Sequence, residues 1–343
     1  MSSVRVGVIG AGKMGILHSC LYNKLRQSEL VAICDNTPIN LRLLKSILPK
    51  VHLYEDYNQM LESSELDLVV ITTPVFLHNR MAKKALEKGS AVFVEKPLAL
   101  SADESQELVR LSKNSTTYVG YCRRFMSTYN TAKNILDSGQ YGAIKSFSSH
   151  MFITQVGEKR TGWQYDAKKS GGGVVMDLGS HAIDIVNYLV GNVKEVSATT
   201  ECDLNVTVED RANIEFRMES NIGGTMEISW AQNGYRLPEL LLDIETEKGR
   251  IRVCEKNLEI LRNKGSPTEG FEKIYKQALE KGVQINIGGQ EFTREDEHVI
   301  DAVSKGTDTI CNFREAAKTN YIIEAAYKSM RDGGHWISPR CDP

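Results

Sequence analysis

The chain reads as an α/β unit followed by an α+β unit, and three observations predict this order. Short apolar strands alternate with helical patterns through the first third, which implies a parallel sheet covered by helices on both faces. The pattern then changes to half-buried strands separated by turn residues, which implies a mostly antiparallel open sheet with flanking helices. At 343 residues the chain exceeds one ordinary hydrophobic core. The expected division is residues 1–122 and 123–343.

The first strand, Arg5–Ile9, flows into Gly10-Ala11-Gly12-Lys13-Met14-Gly15 and then into a helix reaching about Leu25. Gly10 permits the turn out of the strand, Gly12 lets backbone approach a phosphate, and Gly15 lets the helix pack closely with its first amides facing the anion. Leu30–Cys34 reads as the second strand and ends at Asp35, close to the ~20-residue offset of a carboxylate that binds an adenosine ribose. These features predict a Rossmann dinucleotide-binding domain, with Gly10, Gly12, Lys13, Met14 and Gly15 around the pyrophosphate. Asp35 would repel a 2'-phosphate and Asn36 supplies no cation, so NAD is expected over NADP. The alternation continues with a helix around Ile39–Leu48, a strand at Leu66–Ile71, a helix at Asn79–Glu87, a strand at Ala91–Val94, a helix at Ser101–Lys113 and the run Thr117–Gly120.

Strands of the second part are expected at Val193–Thr200, Ala212–Met218, Thr225–Ala231, Leu240–Thr246 and Arg250–Val253, with hairpin turns at Glu219–Gly224 and Glu247–Gly249. Helices near Phe271–Lys281, Arg294–Ser304 and Arg314–Arg331 are expected to pack around this sheet. Thr225–Trp230 and Leu240–Ile244 carry apolar residues on both faces, which predicts one face under helices and the other against a partner subunit.

Two segments could carry chemistry. Lys96, in Glu95-Lys96-Pro97, follows an apolar strand and so lies at a carboxyl end of the parallel sheet, although a lysine there can equally be a solvated charge. The helix after Gly171-Gly172-Gly173 is apolar around most of its circumference, yet Asp177 and His181 share one face, continued by Asp184 and Tyr188. Such a stripe is either paired inside the core or lines a cavity.

A net charge of -2, from 42 basic and 44 acidic residues, gives no electrostatic case for nucleic acid or an anionic membrane. No apolar run approaches the ~20 residues of a membrane span, and the N-terminus lacks a signal-peptide pattern. The seven cysteines are scattered without metal-ligand spacing, so no metal is expected, and they read as reduced thiols of a cytoplasmic protein.

In combination and order, Gly10-x-Gly12-x-x-Gly15, Thr72-Thr73-Pro74 with His78, Glu95-Lys96-Pro97, Gly120–Phe125 and Gly171-Gly172-Gly173-x-x-x-Asp177-x-Gly179-x-His181-x-x-Asp184 resemble the Gfo/Idh/MocA oxidoreductase family. That family includes inositol dehydrogenases and glucose-fructose oxidoreductase; Val75 stands where it commonly has asparagine. The resemblance implies that Thr72, Thr73, Pro74, His78, Glu95 and Lys96 lie at the cofactor. It also implies that Lys96, Asp177 and His181 surround a sugar or cyclitol hydroxyl beside the nicotinamide, in a dimer or tetramer. The residue types suit the chemistry: oxidising an alcohol needs a base of near-neutral pKa and a cation for developing alkoxide charge. The resulting expectation is an NAD-dependent dehydrogenase of a sugar, cyclitol or sugar-nucleotide alcohol, with His181 as base, Lys96 as cation and Asp177 as orienter. Arg123, Arg160 and Trp163 are candidate substrate contacts, and a neutral polyhydroxylated ring is expected to fit better than an acid. The alternatives are an NAD-dependent glycosidase working by transient oxidation, and an NAD-binding regulator without turnover.

Overall fold

The computed structural model describes residues 3–154, 162–201, 207–263, 270–283 and 285–340. The chain divides into two compact units, one formed by Met1–Cys122 with Gly282–Ala317 and the other by Arg123–Lys281 with Lys318–Pro343.

In the first unit the order is β1 (Val4–Ile9), α1 (Lys13–Tyr22), β2 (Ser28–Cys34), α2 (Pro38–Ile47), β3 (His52–Tyr54), α3 (Tyr57–Ser63), β4 (Leu68–Ile71), α4 (His78–Glu87), β5 (Ala91–Val94), α5 (Ala102–Leu111) and β6 (Thr117–Val119). The six strands pair in parallel in the order β3-β2-β1-β4-β5-β6. Leu68–Ile71 and Ala91–Val94 are apolar and buried throughout because helices cover both faces of the sheet. Between β1 and β4 the strand order reverses, and there the carboxyl ends open the crevice in which such sheets bind ligands.

The second unit contains α6 (Ser127–Asp137), β7 (Ile144–Phe152), α7 (Ala167–Ser170), α8 (Ser180–Leu189), β8 (Val193–Glu201), β9 (Arg211–Met218), β10 (Gly223–Ser229), β11 (Glu239–Thr246), β12 (Gly249–Val253), β13 (Asn257–Arg262), β14 (Gly270–Tyr275) and α9 (Lys276–Leu279). Its eight strands run in the order β14-β13-β12-β11-β7-β10-β9-β8, antiparallel except for the parallel pair β7 and β10. The last two helices are α10 (Gln290–Lys305), in the first unit, and α11 (Phe313–Arg331), which enters the second at Lys318.

Several expectations need correction. The chain first leaves the first unit after Cys122, yet the stretch 123–343 is not one body, because Gly282–Ala317 returns to the first unit. There α10 packs on α1 and β1 and buries Val299, Ile300 and Ala302, so it does not serve the second sheet. Phe271–Lys281, expected as a helix, is the edge strand β14 followed by one turn of helix. The apolar residues of Thr225–Trp230 and Leu240–Ile244 also fall mainly on one face. Met226, Ile228, Leu240, Leu242 and Ile244 are buried, while the opposite row carries Glu227 and an Asp243 paired with Arg250 and Arg252. Among the described residues, no helix is long and apolar enough to cross a membrane.

Candidate functional site

The glycine loop has the geometry of an anion cradle. Gly10 has a φ of 101°, a left-handed value that a side chain resists, and a Cβ on Gly15 would sit 1.8 Å from the Gly10 carbonyl oxygen. Gly12 has no heavy atom within 4 Å of the place its Cβ would take, which leaves room for a phosphate. The first turn of α1, containing Lys13, Met14 and Gly15, has neither a side-chain cap nor an acidic residue, so its amides are left for an anionic ligand. Thr72 ties the end of β4 to this loop, its hydroxyl donating to the Gly10 carbonyl at 2.8 Å. At the end of β2 the Asp35 carboxylate accepts from the Ala11 amide at 2.6 Å and from the Thr37 amide at 2.7 Å. Asp35 thereby braces the loop and still has lone pairs for a ribose hydroxyl. These residues fit a dinucleotide.

Glu95-Lys96-Pro97 leaves β5 at the same end of the sheet, and Lys96 is half-buried. The Glu95 carboxylate folds back, one oxygen accepting from the Lys96 amide at 3.1 Å and the other facing His18 Nε2 at 3.3 Å. His78, expected at the cofactor, is 1% exposed and bridges two loops with its ring. Its Nε2 faces the Thr73 carbonyl at 2.8 Å and its Nδ1 the Pro97 carbonyl at 3.0 Å. Burial lowers its pKa against the pull of these carbonyls. His78 therefore braces Thr72-Thr73-Pro74 and the Lys96 loop with its two ring nitrogens.

In the second unit, Val175–Gly179 forms a π-helical turn that runs directly into α8. Such turns recur at functional sites because they re-aim side chains within a helix. Asp177 sits in this turn and His181 in the first turn of α8, both half-buried on an otherwise buried helix. The Glu209 carboxylate holds the entry to this helix, accepting from the Gly173 amide at 2.8 Å, the Val175 amide at 3.2 Å and the Tyr327 hydroxyl at 2.6 Å. The glycines serve that clamp. A Cβ on Gly173 would lie 2.0 Å from the Glu209 carbonyl oxygen, and one on Gly172 would lie 1.8 Å from the Tyr327 hydroxyl.

The expected polar stripe divides. Asp184 is 1% exposed and bound in a fork by Arg124, with N–O distances of 2.7 and 3.0 Å. Tyr188 donates to Asn130 at 3.1 Å. Asp184 is part of the core, and Asp177 and His181, both half-buried, are the candidate pair. Arg123 is buried and donates to Glu255 at 3.1 Å, so its guanidinium serves an internal pair instead of reaching outward. Trp163 lies in a short turn, 39% exposed, and Arg160 lies outside the described residues.

His18, Asp296, Glu209 and Tyr327 are absent from the sequence reading. Only His18, a polar residue three places after Gly15 on an apolar helix, offered a local signal. His18, Glu295 and Asp296 bring ligand-type atoms within 4.8 Å of one another. Both Asp296 oxygens lie at His18 Nδ1, at 2.9 and 3.0 Å, and Tyr118 donates to Glu295 at 2.8 Å, so this fully buried group is a His18–Asp296 ion pair beside a Glu295 hydrogen-bonded to Tyr118.

Comparison with known proteins agrees with this geometry. Residues 4–121 match the oxidoreductase family with an NAD-binding Rossmann fold, and residues 129–252 match the GFO/IDH/MocA C-terminal domain. The chain is 30% identical over 198 residues to 1-carboxy-3-chloro-3,4-dihydroxycyclo hexa-1,5-diene dehydrogenase of Comamonas testosteroni, covering 57% of this chain and 50% of that protein. It is 31% identical over 235 residues to scyllo-inositol 2-dehydrogenase (NAD(+)) of Bacillus subtilis, covering 66% of this chain and 67% of that one. The matched stretches thus span between half and two thirds of these relatives. In fold it is similar to a levoglucosan dehydrogenase solved with NADH and L-sorbose, with a TM-score of 0.91 at 22% identity over 99% of this chain and 100% of that one. With both domain matches in order along its length, the chain belongs to the Gfo/Idh/MocA family of oxidoreductases.

Proposed function

We propose that the chain is an NAD-dependent dehydrogenase that oxidises, or reversibly reduces, a secondary alcohol of a sugar, cyclitol or sugar derivative. The observation that carries this reading is the arrangement of the first sheet, whose carboxyl ends present the anion cradle, Asp35 and the Lys96 loop together. The relative named for an inositol supports the substrate class, and the one named for a carboxylated dihydroxy ring supports oxidation of a ring hydroxyl.

When bound, NAD supplies the hydride acceptor. The chain supplies the rest: His181 takes the hydroxyl proton, the Lys96 ammonium stabilises the developing alkoxide, and Asp177 orients the imidazole or a neighbouring hydroxyl. Asp35 selects NAD by accepting from ribose hydroxyls while repelling a 2'-phosphate. A neutral polyhydroxylated ring is favoured because Arg123 and Arg124, two arginines that could grip an acid, are already paired with Glu255 and Asp184. A homodimer or homotetramer is a separate expectation, to be read by light scattering against the 38.3 kDa of one chain.

The test is turnover on inositols, free sugars and nucleotide sugars, followed by nicotinamide absorbance. Alanine at Lys96 or His181 should lower the rate by ~10²- to 10⁴-fold while NAD binding, titrated by fluorescence, stays close to the parent value. Parent-level turnover in His181→Ala would remove the base assignment. NADH that fails to accumulate while glycoside is cleaved would favour the glycosidase. For the cofactor, Asp35→Ser should narrow the preference for NAD, and equal efficiency with NADP in the parent would refute it.

A further inference from the structure

We propose that His18 is a positioning residue for the catalytic lysine: it links the buried Asp296 carboxylate of α10 to Glu95, whose second oxygen caps the Lys96 amide. This inference rests on the reading of Lys96 as the cation of the reaction.

The chain of contacts is continuous and begins in the core. Both Asp296 oxygens lie about the His18 Nδ1, at 2.9 and 3.0 Å, and the opposite ring nitrogen faces Glu95 Oε1 at 3.3 Å. Glu95 Oε2 then accepts from the Lys96 amide at 3.1 Å. His18 and Asp296 are fully buried, with the Phe93 and Phe292 rings edge-on to the imidazole at 5.0 and 6.2 Å. Gly120 closes the other side, since a Cβ there would sit 3.0 Å from Glu95 Oε2. The Glu95 carboxylate is thus confined between a glycine backbone and an imidazole that cannot turn, and its position fixes the first peptide of the Lys96 loop.

An apolar core of the same volume would be as stable as a buried ion-pair network, or more so. What a network adds is direction, and this one ends on the amide of the residue that the reaction needs. With a carboxylate facing each nitrogen, the site favours a doubly protonated ring. Burial alone would lower the His18 pKa, but Asp296 and Glu95 outweigh it and hold it well above its ordinary value. The titratable groups facing His18 are Tyr22 on its own helix, Glu95 at the end of β5, and Glu295 and Asp296 on α10. Asp296→Asn keeps an acceptor for Nδ1–H but removes the charge that favours the second proton. At neutral pH the ring then carries a single proton, so its bond to Glu95 loses the imidazolium charge, and lowering the pH restores it.

The experiment is amide hydrogen exchange at Lys96, with site-specific acetylation of the Lys96 amine by acetic anhydride, on the full chain with NAD. Parent, Asp296→Asn and His18→Gln are compared between pH 6 and 8. In Asp296→Asn the protection factor at Lys96 should fall severalfold as pH rises through neutrality, because the charge-assisted bond from His18 to Glu95 becomes a neutral one. Amides in β1 and β4 should keep theirs. Lys96 acetylation should shift severalfold relative to Lys133, and His18→Gln should show both effects at every pH. Unchanged protection at Lys96, or a loss shared by all strands, would overturn the proposal, the second outcome marking a merely structural role. Altered protection with unaltered Lys96 reactivity would overturn it as well, since the relay would then hold the loop without placing the amine. Failure of the Lys96 reading has a separate signature, parent-level turnover in Lys96→Ala, and leaves the exchange result readable.

Discussion

The Lys96 loop and the Asp177–His181 helix are held by the same device built from different chemistry. In each, a carboxylate caps the backbone amides that introduce the candidate group, Glu95 at Lys96 and Glu209 at Gly173 and Val175. Behind Glu95 stands an imidazole paired to a second buried carboxylate, whereas behind Glu209 stands the Tyr327 hydroxyl. Burial first, and then Glu209 itself, hold the Tyr327 pKa well above the usual phenol value, so that clamp stays a neutral donor at any physiological pH. The first clamp depends on a proton and the second does not.

The comparison breaks most visibly at Gly173. Its missing Cβ would collide with backbone at 2.0 Å, and backbone cannot swing aside as a flexible side chain does. Gly173→Ala should destabilise the second unit by roughly 3 kcal/mol or more and misplace Asp177 and His181 together. Gly12→Ala meets nothing within 4 Å, so it should leave the melting temperature nearly unchanged and weaken NAD binding instead. Differential scanning fluorimetry beside NAD titration reads both, and equal melting losses in the two variants would erase the distinction.

A smaller effect is expected at Tyr327. Tyr327→Phe removes the hydroxyl from Glu209 but leaves both capped amides, so the loss should be about 1–2 kcal/mol. Because the phenol stays protonated throughout, that loss should be the same at pH 6 and pH 8. A loss that grows with pH would mean that the second clamp is titratable after all.

The same contrast explains what could be read in the sequence. Parallel strands such as Leu68–Ile71 declare themselves because burial on both faces demands an unbroken apolar run. β7 gives no such signal, since Ile144–Phe152 is interrupted by Ser146, Ser148 and Ser149, although it lies at the centre of the second sheet. Phe271, Ile274, Tyr275 and Leu279 recur at helical spacing, yet sheet pairing with β13 overrides that pattern and leaves Phe271 62% exposed on an edge. For the site, the groups bound to glycine motifs were visible because backbone geometry imposes their spacing. Their supports were not, because a buried pair obeys no local spacing: His18 and Asp296 are 278 residues apart. Arg294–His298 opens the helix expected at Arg294–Ser304 with five polar residues, and only the packing of α10 on α1 shows that Glu295 and Asp296 face inward.

The finest test of the comparison is the pH dependence of stability in the first unit. Burial raises the Glu295 carboxyl well above the ordinary range, His18 opposing, so the folded chain keeps a proton that the unfolded chain releases above roughly pH 4.5. A group raised in this way stabilises the fold at low pH and loses that contribution as pH climbs toward its folded value. His18 has the same sign, its contribution being complete below its unfolded value of about 6.5 and lost as pH rises through the folded one. Together they make stability decline from mildly acid to alkaline solution. Glu295→Gln carries no proton to lose, and its amide oxygen still accepts from Tyr118. Its unfolding free energy should match the parent near pH 5 and exceed it by pH 8, by an amount on the order of 1 kcal/mol. A difference that stays constant across that window would show that Glu295 is not the group that titrates, and would leave the charge of the first clamp with His18 and Asp296 alone.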